Sequence, residues 1–272
     1  MKKKKGIPEV RWYEDEQDDF VGEKGDALEI PADFRYIRGG WLWRVGAFLV
    51  YRVVMTPFAY VFCKIAYGMK VVDERTEKPK KRQGCFLYGN HTLPVGDAFV
   101  PSLLMFPKKP YVVVDPRNLS AKGTRNFLMM LGALPKPQQL GAFKGFIAAL
   151  TQRAKEGNCV TIYPEAHLWP YHTGIRNFAA SSFRFPASTR LPVYVSTVTF
   201  QKRGFFRRPR STVYLNGPYF ADETLPPRQA EKELRDRVYR VMSENAVHSS
   251  YSHVIYMKKE VAEDASDPVC RQ

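Results

Sequence analysis

Residues 88–98 read Tyr-Gly-Asn-His-Thr-Leu-Pro-Val-Gly-Asp-Ala. His91 and Asp97 are the pair that could do chemistry. A histidine takes a proton from an alcohol when a carboxylate fixes its tautomer and supports the imidazolium. On one straight helix, six positions turn through about 600° and leave the two side chains roughly 120° apart. Pro94 and Gly96 make the stretch a turn instead, through which the pair could meet. The competing reading has Asp97 capping a helix from Ala98, with His91 a plain loop residue. A second candidate is Tyr163-Pro164-Glu165-Ala166-His167-Leu168-Trp169-Pro170. Glu165 could hold a substrate hydroxyl or orient the histidine, or merely cap the following segment. A third set is the cations Lys136, Lys144, Arg176, Arg184 and Arg190. A phosphate needs fixed cationic donors, although most cations on a basic chain are solvated surface.

These residues need elements to position them. Cys85–Gly89 reads as a buried strand ending just before His91, and Ala98–Phe106 as a helix. Tyr111–Val114, Cys159–Tyr163, Pro192–Phe200 and Ser211–Asn216 read as strands. Asn126–Leu131, Gly141–Lys155, Asn177–Arg184 and Arg228–Asn245 read as helices. Phe143, Phe146, Ile147 and Leu150 share one helical face, and Gly157 should end that helix. Strands alternating with helices predict an α/β fold: a mostly parallel central sheet flanked by helices, with N-terminal interfacial helices. His91 and Glu165 each follow a strand, and such sheets bind ligands at that end.

The chain has 272 residues, enough for one large domain. Its organisation reads as a polar N-terminal arm (1–40), membrane-interface helices (41–70), a catalytic domain (71–256) and a C-terminal tail (257–272). Residues 41–68 are the most apolar part, yet the longest charge-free run is the 11 residues Val53–Cys63. A spanning helix wants about 20 apolar residues, and Pro57 should kink a helix. Trp41, Trp43, Tyr51, Tyr60 and Tyr67 are amphipathic aromatics suited to a bilayer interface. Arg44, Arg52, Lys64 and Lys70 could meet lipid phosphates. Helices lying in the interface are therefore favoured over a true span, and over a buried core pair. The formal net charge of +15 calls for an anionic partner. Cys63, Cys85, Cys159 and Cys270 form no CxxC pair, which suits a reducing cytosol. The lysines at the start lead into an acidic stretch, residues 14–19, not an apolar one, so no secretory signal is read.

With these stretches in order, the sequence resembles the glycerophospholipid acyltransferase family, the PlsC-like, 1-acyl-sn-glycerol-3-phosphate acyltransferase-like enzymes. Asn90-His91 leading to Asp97 is similar to the family's first block, with five intervening residues where the family has four. Gly132–Lys136 matches the second block, a glycine-containing turn ending in a cation. Tyr163-Pro164-Glu165 matches the third, but the usual Gly-Thr-Arg is Ala166-His167-Leu168. Leu191-Pro192-Val193-Tyr194-Val195 matches the fourth.

The resemblance implies an O-acyltransferase of phospholipid synthesis. It would move a fatty acyl group from acyl-CoA or an acyl carrier protein to a hydroxyl of a glycerol phosphate or lysophospholipid, above all 1-acylglycerol-3-phosphate. His91 would be the general base and Asp97 its partner. Glu165, Lys136, Arg176, Arg184 and His167 would bind the acceptor. No metal or other cofactor is implied, and no nucleic acid. The implied place is the cell membrane, peripheral or monotopic, with the site on the cytoplasmic side. Two rival readings remain at this stage. One is a metal-dependent hydrolase using His91, Asp97, His167 and His172, although no tight ligand spacing is present. The other is a non-enzymatic binder of nucleic acid or anionic membrane, which rests on charge alone.

Overall fold

The computed structural model describes residues 8–21, 29–120, 123–204 and 206–259. Its centre is a seven-stranded sheet in the order β2-β8-β7-β3-β6-β4-β5. The strands are β2 (Lys70–Asp73), β3 (Cys85–Gly89), β4 (Pro110–Val114), β5 (Ala133–Pro135), β6 (Cys159–Ile162), β7 (Val193–Gln201) and β8 (Arg210–Tyr219). Strands β3 to β7 run parallel to one another. β8 returns antiparallel to β7, and β2 lies parallel to β8 at the edge. The predicted α/β fold with a mostly parallel sheet is the one observed.

β3 and β6 are buried along their whole length, as central parallel strands must be. Their alternation feeds two cores. Phe86, Tyr88, Val160 and Ile162 face α5 (Leu140–Lys155) and α7 (Pro227–Ala246). Cys85, Leu87 and Cys159 face α2 (Thr56–Tyr67) and α3 (Gly96–Leu104). Cys63, Cys85 and Cys159 are buried and free, whereas Cys270 lies outside the described residues. α4 (Thr124–Leu131) connects to β5. Where a helix was expected over Asn177–Arg184, a single 3-10 turn over Ala180–Phe183 leads into α6 (Arg184–Thr189).

The apolar segment is one continuous helical run. α1 (Trp41–Phe48) passes through a π-helical stretch, Leu49–Met55, into α2. Pro57 has no N–H to give and its ring crowds the turn before it, and the helix widens there. The run Trp41–Tyr67 has 27 residues and is long and apolar enough to cross a membrane by length and composition. Only 11% of its most apolar window is buried, so it is not a buried core pair.

The described residues of 1–40, 8–21 and 29–40, depart from the expected loose arm. β1 (Glu9–Tyr13) pairs in parallel with β9 (Val254–Lys258), outside the main sheet. Ile30, Phe34 and Tyr36 are buried in the core under α5, and the Tyr36 hydroxyl donates to Pro135 O at 3.1 Å. The apolar residues that dock are spaced singly among charges, which hides them from a composition scan. Most of the expected tail, 260–272, lies outside the described residues.

Candidate active site

His91 sits two residues past the end of β3. Gly89 lets the chain leave the sheet there. A Cβ on it would lie 2.8 Å from Ser196 Oγ and 2.9 Å from the Tyr163 ring. Asn90 then extends the pairing with its side chain. Its amide donates to Val198 O at 3.0 Å and accepts from Val198 N at 2.8 Å. Thr92 ties the loop to the 169–172 segment, donating to Trp169 O at 3.1 Å and His172 O at 3.0 Å.

The histidine and aspartate do meet. His91 Nδ1 lies 2.7 Å from Asp97 Oδ2, which also accepts the Leu93 N–H at 3.0 Å. A carboxylate can only accept, so Nδ1 carries the proton and Nε2 is the free base nitrogen. Asp97 is 5% exposed and sits in the first turn of α3 without capping it. Burial pushes its carboxyl above the usual carboxylate range, opposed by the His91 side chain and the loop N–H groups.

The chain between the two residues turns tightly at Val95. The Gly96 N–H donates to Pro94 O at 2.6 Å, and Val95 between them has φ +62° and ψ −37°. This is a γ-turn, strained for a β-branched residue. Tyr67, at the end of the apolar helix, donates its hydroxyl to the same Pro94 carbonyl. The membrane-candidate helix therefore touches the turn that brings His91 to Asp97.

Tyr163 packs behind the pair. Its ring stacks on His91 at 4.7 Å and 20°, and its hydroxyl donates to the Asp97 carbonyl at 2.6 Å. Burial pushes its phenol well above its ordinary value, so it stays a donor.

Glu165 is 3% exposed and faces inward. Oε2 accepts the His91 N–H and an Arg176 Nη2 hydrogen, both at 3.1 Å, and Oε1 accepts the Arg176 N–H at 3.1 Å. Arg176 is equally buried. It also donates to Glu16 O at 3.0 Å and to His167 O, and lies over the Trp169 ring at 4.7 Å. Burial pushes the Glu165 carboxyl up, opposed by Arg176. Both residues were expected to bind the acceptor. In this structure they are buried against each other, and Glu165 holds the loop that carries His91.

The other expected ligands are dispersed. Lys136 is exposed at the end of β5. It lies on the same rim but three strands from β3, about 14 Å away at normal strand spacing. Arg184 is exposed at the start of α6. Lys144 is exposed on α5, and Arg190 pairs with Glu223 at 3.4 Å. His167 is half-buried, with Nδ1 3.8 Å from Asp19. Asp19 also lies 3.4 Å from Arg117, which follows β4 on the same rim and which the sequence reading passed over. Its signal was a cation just past a strand end beside β6. Tyr163 was missed as well. It was hidden because any apolar residue fits the position before Pro-Glu.

His91, Asp97, His167 and His172 are not gathered into a metal site. Among the described residues, no three His, Cys, Asp or Glu side chains are placed to hold a metal ion.

No protein-family model and no curated protein sequence matches the chain. Among solved structures, it is similar to the 1-acyl-sn-glycerophosphate (LPA) acyltransferase PlsC from Thermotoga maritima, with a TM-score of 0.53 and 17% identity. The similarity covers 80% of this chain and 92% of that one. The fold is PlsC-like. Within the PlsC-like fold, this chain places Ala166 at φ +65°, where the resemblance expects glycine. It places Leu168 where an arginine is expected.

Proposed function

We propose that the protein is an O-acyltransferase that moves a fatty acyl group from an acyl thioester to the hydroxyl of a phosphorylated glycerol or lysophospholipid. The observation that carries this reading is the 2.7 Å contact between His91 Nδ1 and Asp97, which leaves Nε2 free at the strand-end rim of a PlsC-like fold. Nε2 takes the acceptor hydroxyl proton as the oxygen attacks the thioester carbon. The C–S bond then breaks, and the thiolate leaves and takes up a proton. Asp97 stabilises the imidazolium that forms. The transfer is one step, with no acyl-enzyme. The donor is acyl-CoA or an acyl carrier protein, and no metal is required.

The acceptor phosphate meets Arg117 and His167 on the rim, with Lys136 farther out. Arg176 and Glu165 hold the loop. The helix Trp41–Tyr67 lies against the cytoplasmic face of the cell membrane, with its exposed Trp41, Leu42, Phe48, Val54, Phe58 and Ile65 towards lipid. The expected preference is for 1-acylglycerol-3-phosphate. Incubation of the protein in detergent or nanodiscs with labelled long-chain acyl-CoA and a panel of acceptors, followed by lipid mass spectrometry, tests this. Acylated product from a phosphorylated acceptor supports the reading. Free fatty acid as the sole product, whatever acceptor is present, would make it a thioesterase instead.

A further inference from the structure

The hairpin between β7 and β8, residues 202–209, is not used by the chemistry above. With Arg210 it reads Lys-Arg-Gly-Phe-Phe-Arg-Arg-Pro-Arg, five cations and no acid in nine residues. Phe206 is 66% exposed, and Lys202, Arg207 and Arg208 are exposed as well. This places an exposed aromatic ring among cations.

The hairpin has a fixed neighbour. Arg203 donates to Ala66 O at 3.2 Å, at the last turn of α2, and its guanidinium lies over Phe206 at 4.1 Å. A Cβ on Gly68 would lie 2.8 Å from Arg203 Nε, so the two elements are in close contact. Arg208 lies over Tyr67 at 6.0 Å. Capping of α2 explains Arg203, because a cation suits a helix C-terminus. It does not explain the exposed outer face of Phe206, nor Arg207 or Lys202. Around the same end of α2, Tyr60, Val61 and Ile65 are exposed, with Lys64 and Lys70 beside them. β7 runs parallel to β3 and continues five residues past Ser196, which is level with Gly89. The hairpin tip therefore stands beyond the rim that carries His91.

We propose that the described hairpin residues 202–204 and 206–210 form a second membrane-contacting element that docks on anionic lipid, with Phe206 entering the headgroup region and the surrounding cations meeting lipid phosphates. Charge complementarity selects the occupant, since each cation near an anionic leaflet is attracted to it over about a Debye length. Aromatic side chains favour the interface itself. The apolar run and the hairpin then form one surface, and the rim with His91 lies at headgroup level. The inference rests on Trp41–Tyr67 meeting lipid and does not depend on which group is transferred.

Hydrogen exchange of the full chain in nanodiscs tests it. One set holds phosphatidylcholine alone, and a second contains about one third phosphatidylglycerol. A third sample holds the protein in detergent with a short RNA. The expected result is at least about tenfold slower exchange of the 203–208 amides in the anionic discs, reversed by high salt. The doubly substituted variant Phe206→Ser, Arg207→Glu changes only exposed side chains. It should lose that protection while residues 41–67 stay protected and acyl transfer remains measurable in detergent. Equal exchange in anionic and neutral discs, with 41–67 protected in both, would overturn the hairpin proposal and leave the acyltransfer reading untouched. Protection by RNA and not by anionic lipid would overturn it too.

Discussion

Tyr163 touches both members of the candidate pair. It stacks on His91 and donates to the Asp97 carbonyl, so one side chain braces both halves of the pair. Tyr163→Phe keeps the stack and removes the hydrogen bond. The expected effect is a fall in kcat of about 5- to 10-fold, on the scale of one hydrogen bond of 1–1.5 kcal/mol, with KM for the thioester unchanged. Its pH profile should also shift against wild type, since the brace holds the residue that fixes the histidine tautomer. An unchanged kcat would make the stack alone sufficient. Glu165 gives the second expectation at this scale. Glu165→Gln leaves the Arg176 guanidinium buried without its counter-charge, which costs about 3–5 kcal/mol. Urea unfolding should show it, and a loss below about 1 kcal/mol would mean that Arg176 turns out to water.

At the scale of elements, the strand-to-helix turn after β3 decides whether there is a site. The resemblance expects four residues between His and Asp, and this chain has five. Within that stretch the γ-turn at Val95 puts a β-branched side chain at φ +62°. Val95 is 63% exposed, so its side chain has little packing to lose. Val95→Gly should therefore stabilise the protein by about 1 kcal/mol, the strain relieved less the entropy gained by the unfolded chain. A thermal melt checks this, and a lowered Tm would contradict the strain.

The same turn shows what sequence could and could not reveal. The strands carrying the site were legible because central parallel strands are short apolar runs. The meeting of His91 and Asp97 was only half legible. Pro94 and Gly96 announced a turn, but not its type, nor the Tyr67 hydroxyl from another element that donates to it. Lys136 and Arg184 were plausible ligands by chain order, and the sheet order then left one at the far edge and the other on a peripheral helix. The docking of residues 9–20 was not legible at all, because isolated apolar residues among charges look like a solvated arm.

At the scale of the whole molecule, the N-terminal segment, the 165–177 loop and β9 close over one another beside the site. His172 reports on that packing. Its ring packs edge-on against the stacked pair Trp169 and Tyr256, 5.3 Å from each, and Arg176 is its charged neighbour. Burial first, and then Arg176, push its pKa down from 6.5 to about 4. The unfolded chain thus takes the proton before the folded one does. The stability this residue contributes is complete above about pH 6.5 and is lost as the pH falls towards 4, by up to about 3 kcal/mol. Asp97 and Glu165, with raised values, act in the opposite sense, so the comparison must be with a variant. His172→Phe keeps a ring in place and removes the titration. Its Tm should fall less than that of the wild type between pH 7 and 4.5, and parallel curves would refute the buried neutral imidazole.

The claim on which the rest depends is that His91 is the base of an acyl transfer. The most direct measurement is thiol release from long-chain acyl-CoA, and from acyl carrier protein, with and without 1-acylglycerol-3-phosphate, for wild type and His91→Ala. The expected result is acceptor-dependent release that falls by 10²-fold or more in His91→Ala, the range for loss of a general base. Acceptor-dependent release that persists undiminished in His91→Ala would contradict the mechanism. No release from either donor with the folded wild-type protein would contradict acyl transfer itself.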